Sequence, residues 1–164
     1  MSIGDIHQNI IVMLEQIASA EEYLSLLYLR LRFMVRDPAV KILAEYLSES
    51  SHLHRNTIKN LLDLSIEKLN IPQDKLREVI ELVGGGFRDI RDLYHKALET
   101  YNTDEIIKII ENLENSVRSL ISAYKIMRES QDRDENIRFI LEILEEDSDR
   151  NIRILKTLCS HLKK

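Results

Sequence analysis

The feature that most constrains this chain is the spacing of its large aliphatic residues. Its 164 residues include 22 Ile and 24 Leu but only 6 Val, and the apolar positions recur every three or four residues, with 4 Gly and 2 Pro to interrupt them. That period belongs to helices, so the chain reads as all-α. With 44% of residues apolar and 31% charged, it suits one domain with a single core. No apolar run approaches the ~20 residues of a membrane span. His7, Gln8 and Asn9 interrupt the apolar part of the N-terminus, which also lacks a basic region, so neither a signal peptide nor an anchor is expected. A net charge of -5 argues against a nucleic-acid partner, which requires a clustered positive face. Cys159 is alone; it can form no internal disulfide and fits a reducing, cytoplasmic setting.

Breakers divide the chain into two helical hairpins. The first helix is expected over about 5–36, stopping at Asp37-Pro38, because a proline pushes the residue before it out of the α region. The second runs over about 38–69, with Pro38 at its favourable first position, and Asn70-Ile71-Pro72 ends it. The third, over about 103–130, opens on Asn102 as cap with Glu105 completing a capping box; the fourth covers about 133–162, with a similar start at Asp132 and Glu135. Between the hairpins lie residues 70–102, long enough to climb the bundle as a crossover. Gly84-Gly85-Gly86 is expected to break that crossover into two short amphipathic pieces, around Gln73–Val83 and Phe87–Tyr101.

Placing residues at 100° per position reveals a polar gap in the apolar stripes. In the second helix Ser50, Ser51 and His54 fall inside the stripe of Leu43, Leu47, Ile58 and Leu61; in the fourth, Asp147, Ser148 and Asn151 fall between Leu144 and Leu155. A shift of 97 residues aligns Leu47 with Leu144, Ser51 with Ser148, His54 with Asn151 and Ile58 with Leu155, and a shift of 96 aligns Tyr28 with Tyr124. The halves therefore read as a pseudo-repeat. On the first helix Glu21 lies at the edge of the core stripe, two turns before Tyr28; its counterpart on the third is Val117. Glu49 and His52 also spell Glu-x-x-His, but their phase places them on the solvent side of the second helix.

This pattern resembles the ferritin-like superfamily, and its rubrerythrin-type branch most. Glu21-x6-Tyr28 is similar to that family's first-helix pattern of a ligand Glu followed by Tyr, and the segment Glu45–His54 looks like its second-helix segment, with His54 in the histidine place. The resemblance implies an antiparallel four-helix bundle of two hairpins around a di-metal site, each hairpin supplying a Glu and a Glu-x-x-His. Here Ser51 stands in place of the bridging Glu, Ser148 and Asn151 replace the second Glu-x-x-His, and Val117 replaces the third-helix Glu. Two candidate ligands do not make up the six or so that a di-iron pair needs.

Two expectations for the centre follow. In the first, His54 is a core histidine satisfied by Ser51, Glu21 or a tyrosine, with Tyr28 and Tyr124 closing the polar gap, and the bundle is a non-catalytic scaffold or interaction protein. In the second, Glu21 and His54, with Glu114 or Asp147, hold iron, manganese or zinc in an asymmetric site for iron or peroxide chemistry, as the resemblance implies. Leu26, Leu29 and Phe33 form a second apolar strip on the first helix. Either the crossover covers it or another copy does, and a homodimer or larger homo-oligomer is expected.

Overall fold

The computed structural model describes residues 2–164 and contains five helices: α1 (Ile3–Met34), α2 (Pro38–Ser65), α3 (Gln73–Leu98), α4 (Thr103–Glu129) and α5 (Glu135–Leu162), with a 3-10 turn at Ile66–Lys68. No strand occurs among the described residues. Four of the helices open on a side chain that takes up free backbone N–H groups. Ser2 and Asp5 cap α1 reciprocally, Asp37 accepts from Ala39 and Val40 ahead of α2, and Asn102 accepts from Asp104 ahead of α4. The fourth cap is Asp134, which accepts from Asn136 and Ile137; the start expected at Asp132 therefore falls two residues later. At the other end of α1 the helix stops at Met34, because Val35 already turns to extended backbone on the approach to Asp37-Pro38. The second helix likewise tightens into the 3-10 turn after Ser65.

The crossover departs most from expectation. It is one 26-residue helix running straight through Gly84-Gly85-Gly86, with none of these glycines at positive φ. Three glycines cost a helix interior about 1 kcal/mol each relative to alanine. The opposing contribution is tertiary: Leu76, Val79, Val83, Ile90 and Ala97 recur at helical spacing and are all buried. Burial of one large aliphatic side chain is worth about 1.5–3 kcal/mol, so the packed face outweighs the local propensity. Gly86 also lets the backbones approach, since a Cβ there would lie 3.3 Å from the Ser116 carbonyl oxygen on α4.

α3 packs against both α1 and α4; α1 packs on α2, α4 on α5, and α2 on α5. These contacts close a ring around a core in which Leu14, Ile17, Leu27, Leu31, Leu47 and Ile58 are fully enclosed. The crossover is thus a wall of the molecule. Tyr23 of α1 seals its seam with α3, its ring centroid 6.1 Å from that of Phe87 and 5.4 Å from that of Tyr94. At one end of the ring Gln131 joins the α4–α5 turn to the α2–α3 corner: its amide nitrogen donates to the Asn70 carbonyl at 2.6 Å, and its amide oxygen accepts from the Asn70 N–H at 3.1 Å. No helix of the described residues is long and apolar enough to cross a membrane.

Candidate functional site

The polar gaps of α2 and α5 meet the Glu21 edge of α1 at the centre of the ring. Each residue is delivered by a helix whose flanking turns are apolar and buried: Ile17 and Leu24 around Glu21, Leu47 and Ile58 around His54, Leu120 and Met127 around Tyr124. Glu21 and His54 are both only 2% exposed. His54 Nδ1 lies 3.5 Å from Glu21 Oε1, and His54 Nε2 lies 3.6 Å from Asp147 Oδ2. The same Glu21 oxygen accepts from the Tyr124 hydroxyl at 2.9 Å. Asp147, half-buried, is held in turn by Arg150 at 2.5 Å. Next to this line Asn151 donates to Ser50 Oγ at 2.8 Å, while Ser51 and Ser148 are buried beside it.

Charges alternate along Glu21, His54, Asp147 and Arg150. Burial pushes the His54 imidazole towards its neutral form, but the Glu21 and Asp147 carboxylates together outweigh it and hold the pKa above the ordinary 6.5. Below that raised pKa the imidazolium is the cation shared by two carboxylates. Tyr28 and Tyr124 move the other way in function: burial, and then the negative charge of Glu21, pushes both phenols up, so they stay protonated. A protonated Tyr124 is what the Glu21 carboxylate needs as a donor. Glu21 Oε2, Asn151 Oδ1 and both His54 nitrogens make no hydrogen bond, so the imidazole is held by ion pairing.

The resemblance to ferritin-like proteins implies two metal ions here, and the donors do not fit them. Among the described residues no group of three His, Cys, Asp or Glu side chains is placed to hold a metal ion. His54 stands between its carboxylates, one ring nitrogen toward each, instead of beside them facing a common point. Glu114 is engaged elsewhere: it pairs with Arg118 at 2.9 Å and Lys156 at 3.3 Å in the groove between α4 and α5, and the Arg118 hydrogen bond holds it below the usual carboxylate range. Val117 is buried where a third-helix ligand would lie, and Glu49 and His52 are exposed.

Of the residues singled out in the sequence, the structure brings together Glu21, His54, Tyr124 and Asp147, and packs Ser51, Ser148 and Asn151 around them. It does not bring in Glu114. Arg150 was missed; its signal was the i,i+3 spacing to Asp147. Ser25 and Ser48 were missed as well: Ser48 donates to the Ser25 carbonyl at 2.8 Å across α1 and α2. Comparison with protein-family models, curated proteins and solved structures finds no match to this chain.

Proposed function

We propose that this chain is a ferritin-like bundle of two antiparallel hairpins that keeps the architecture of a di-metal protein while supplying the central cation itself. In this reading it is a non-catalytic scaffold or interaction protein of the cytoplasm, acting through its outer surfaces. The pairing of ends supports the hairpins: on α1 and α2, Glu22 meets Arg55 and Arg32 meets Glu45; on α4 and α5, Glu111 meets Lys163 and Arg128 meets Glu145. In each pair of helices, later residues on one meet earlier residues on the other. The observation that carries the functional reading is the placement of His54 between Glu21 and Asp147, 3.5 and 3.6 Å away. An imidazolium there offsets the buried carboxylate charge that metal ions would otherwise balance.

One atom favours the alternative, an asymmetric metal site used for iron or peroxide chemistry. Glu21 Oε2 is buried and makes no hydrogen bond, and a buried carboxylate oxygen calls for a partner. Metal content of untagged protein, followed by Fe(II), Mn(II) and Zn(II) titration of wild type beside His54→Ala, separates the two. The scaffold reading expects no stoichiometric metal and no difference between the proteins. Stoichiometric binding by wild type that disappears in His54→Ala would overturn it.

A further inference from the structure

Of the two candidate covers for the strip of Leu26, Leu29 and Phe33, the crossover does not lie over it. α3 docks on a different side of α1, where Tyr23 meets Phe87 and Tyr94, and Arg30 Nε donates to the Ala97 carbonyl. Leu26 remains 40% exposed, Leu29 39% and Phe33 69%, while the neighbouring α2 adds Ile42 at 68%, Tyr46 at 43% and Leu53 at 61%. Together these six side chains leave on the order of 600 Å² of largely apolar surface in water, at the top of the range for a monomer's largest patch and close to the roughly 800 Å² per partner of a stable interface.

We propose that this face is the contact surface for a second copy of the same chain, with α1 packed on α1 of the other copy in reversed orientation. The spacing supports a helix as occupant. Glu22, Leu26, Leu29 and Phe33 follow one another at steps of four, three and four, the spacing of a coiled-coil seam, and Arg36 follows just beyond the end of α1. The charge order selects a copy of the chain itself. The exposed acids Glu15 and Glu22, the latter also within 3.5 Å of Arg55 of its own chain, stand at one end of the seam, exposed Arg36 beyond the other, and the apolar residues between them. Reversing one copy on the other sets Leu26 on Leu29 and Phe33 on Glu22, and carries Arg36, just past the end of α1, toward the acid-bearing end of the partner's helix. Beside that seam the same operation sets Ile42 on Leu53 and brings the Tyr46 hydroxyl to Glu49, which is exposed. The reversed contact is self-complementary and therefore closes as a dimer; the pseudo-repeat puts Ser122, Lys125 and Glu129 at the equivalent positions of α4, although on α5 Phe139 and Ile143 stand exposed at the positions of Ile42 and Tyr46.

This proposal stands apart from the reading of the bundle centre, and its test does not involve the central residues. Sedimentation velocity and light scattering on the full chain should give twice the 19.3 kDa chain mass. Leu29→Lys should sediment at the single-chain mass with unchanged far-ultraviolet circular dichroism, since the residue already faces solvent. Arg36→Glu should weaken the dimer by roughly tenfold at low salt, and adding Glu15→Arg should restore it. Wild type sedimenting as a single chain at its highest soluble concentration overturns the proposal and assigns the strip to a different protein. A dimer that survives Leu29→Lys places the contact on another face, and failure of the charge exchange to restore association overturns the reversed orientation.

Discussion

Truncating His54 would leave the buried Glu21 and the half-buried Asp147 facing a void where their shared cation stood. Removing one partner of a buried ion pair costs about 3–5 kcal/mol, mostly because the remaining charge is stranded; with Asp147 partly solvated and held by Arg150, His54→Ala is expected near the low end, about 3 kcal/mol. Urea unfolding at constant slope measures it, and a loss under about 1 kcal/mol would mean the ion pairs contribute little. The same imidazole makes stability depend on pH with a definite sign. Its folded pKa is raised above the ordinary 6.5, so its contribution is complete below 6.5 and is lost as pH climbs through the higher folded value. The stability difference between wild type and His54→Gln should therefore shrink from 6.5 upward, and the His54 ring proton should titrate above 6.5 by NMR; a midpoint at or below that value contradicts the assigned charge state. Glu21, His54 and Asp147 were visible in the sequence because a polar residue at core phase is conspicuous in an apolar stripe. Their partnership was not. Whether an imidazole faces a metal or a second carboxylate depends on which helix lies opposite, and helical phase within one segment carries no such information.

Gly84-Gly85-Gly86 shows the same limit at the scale of one element. Glycine's helix cost is local and readable, so the triplet suggested a break; the buried face of α3 and its contact with Ser116 are non-local, and they decide the outcome. The three glycines are not equivalent. A Cβ at Gly85 meets nothing within 4 Å, so Gly85→Ala should raise stability by about 0.5–1 kcal/mol through backbone entropy alone. At Gly86 the Cβ would meet Ser116 O at 3.3 Å and Ser119 Cβ at 3.5 Å. Gly86→Ala must push α3 away from α4, and it should stabilise less than Gly85→Ala or destabilise. Thermal melts of the two variants side by side test this, and equal gains would show that α3 has slack against α4. Helix existence followed from sequence elsewhere, as did the start at Pro38 and the Asn102 cap, because these residues act on their own neighbours only; the caps at Ser2, Asp37 and Asp134 did not.

Across the whole molecule, chain length told more than composition did. Residues 70–102 are too many for a turn and enough to span the bundle, which made a separate helical segment between α2 and α4 legible. That α3 would lie between α1 and α4 as a full wall was not, because Tyr23, Phe87, Tyr94 and Ser116 reveal their seams only once paired. A ring built this way has no covalent tie between its two halves except α3, so their relative position rests on packing and on the contacts at the ends. Gln131 is the most connected of these: buried to 4% exposure, it holds both backbone groups of Asn70 and also donates to the Met127 carbonyl at 2.9 Å. Each such hydrogen bond is worth about 1 kcal/mol net. Gln131→Ala should cost about 2 kcal/mol, since the exposed Asn70 can turn to water for its N–H and C=O. The effect should also be local in a way that a general loss of stability is not. Amide exchange at Asn70 should accelerate by more than the global change accounts for, while amides in the middle of α2 follow the global change alone. If the Asn70 amide keeps its protection, Gln131 fills space at that corner, and the α1–α2 and α4–α5 pairs are held in place by α3 and the apolar core without it.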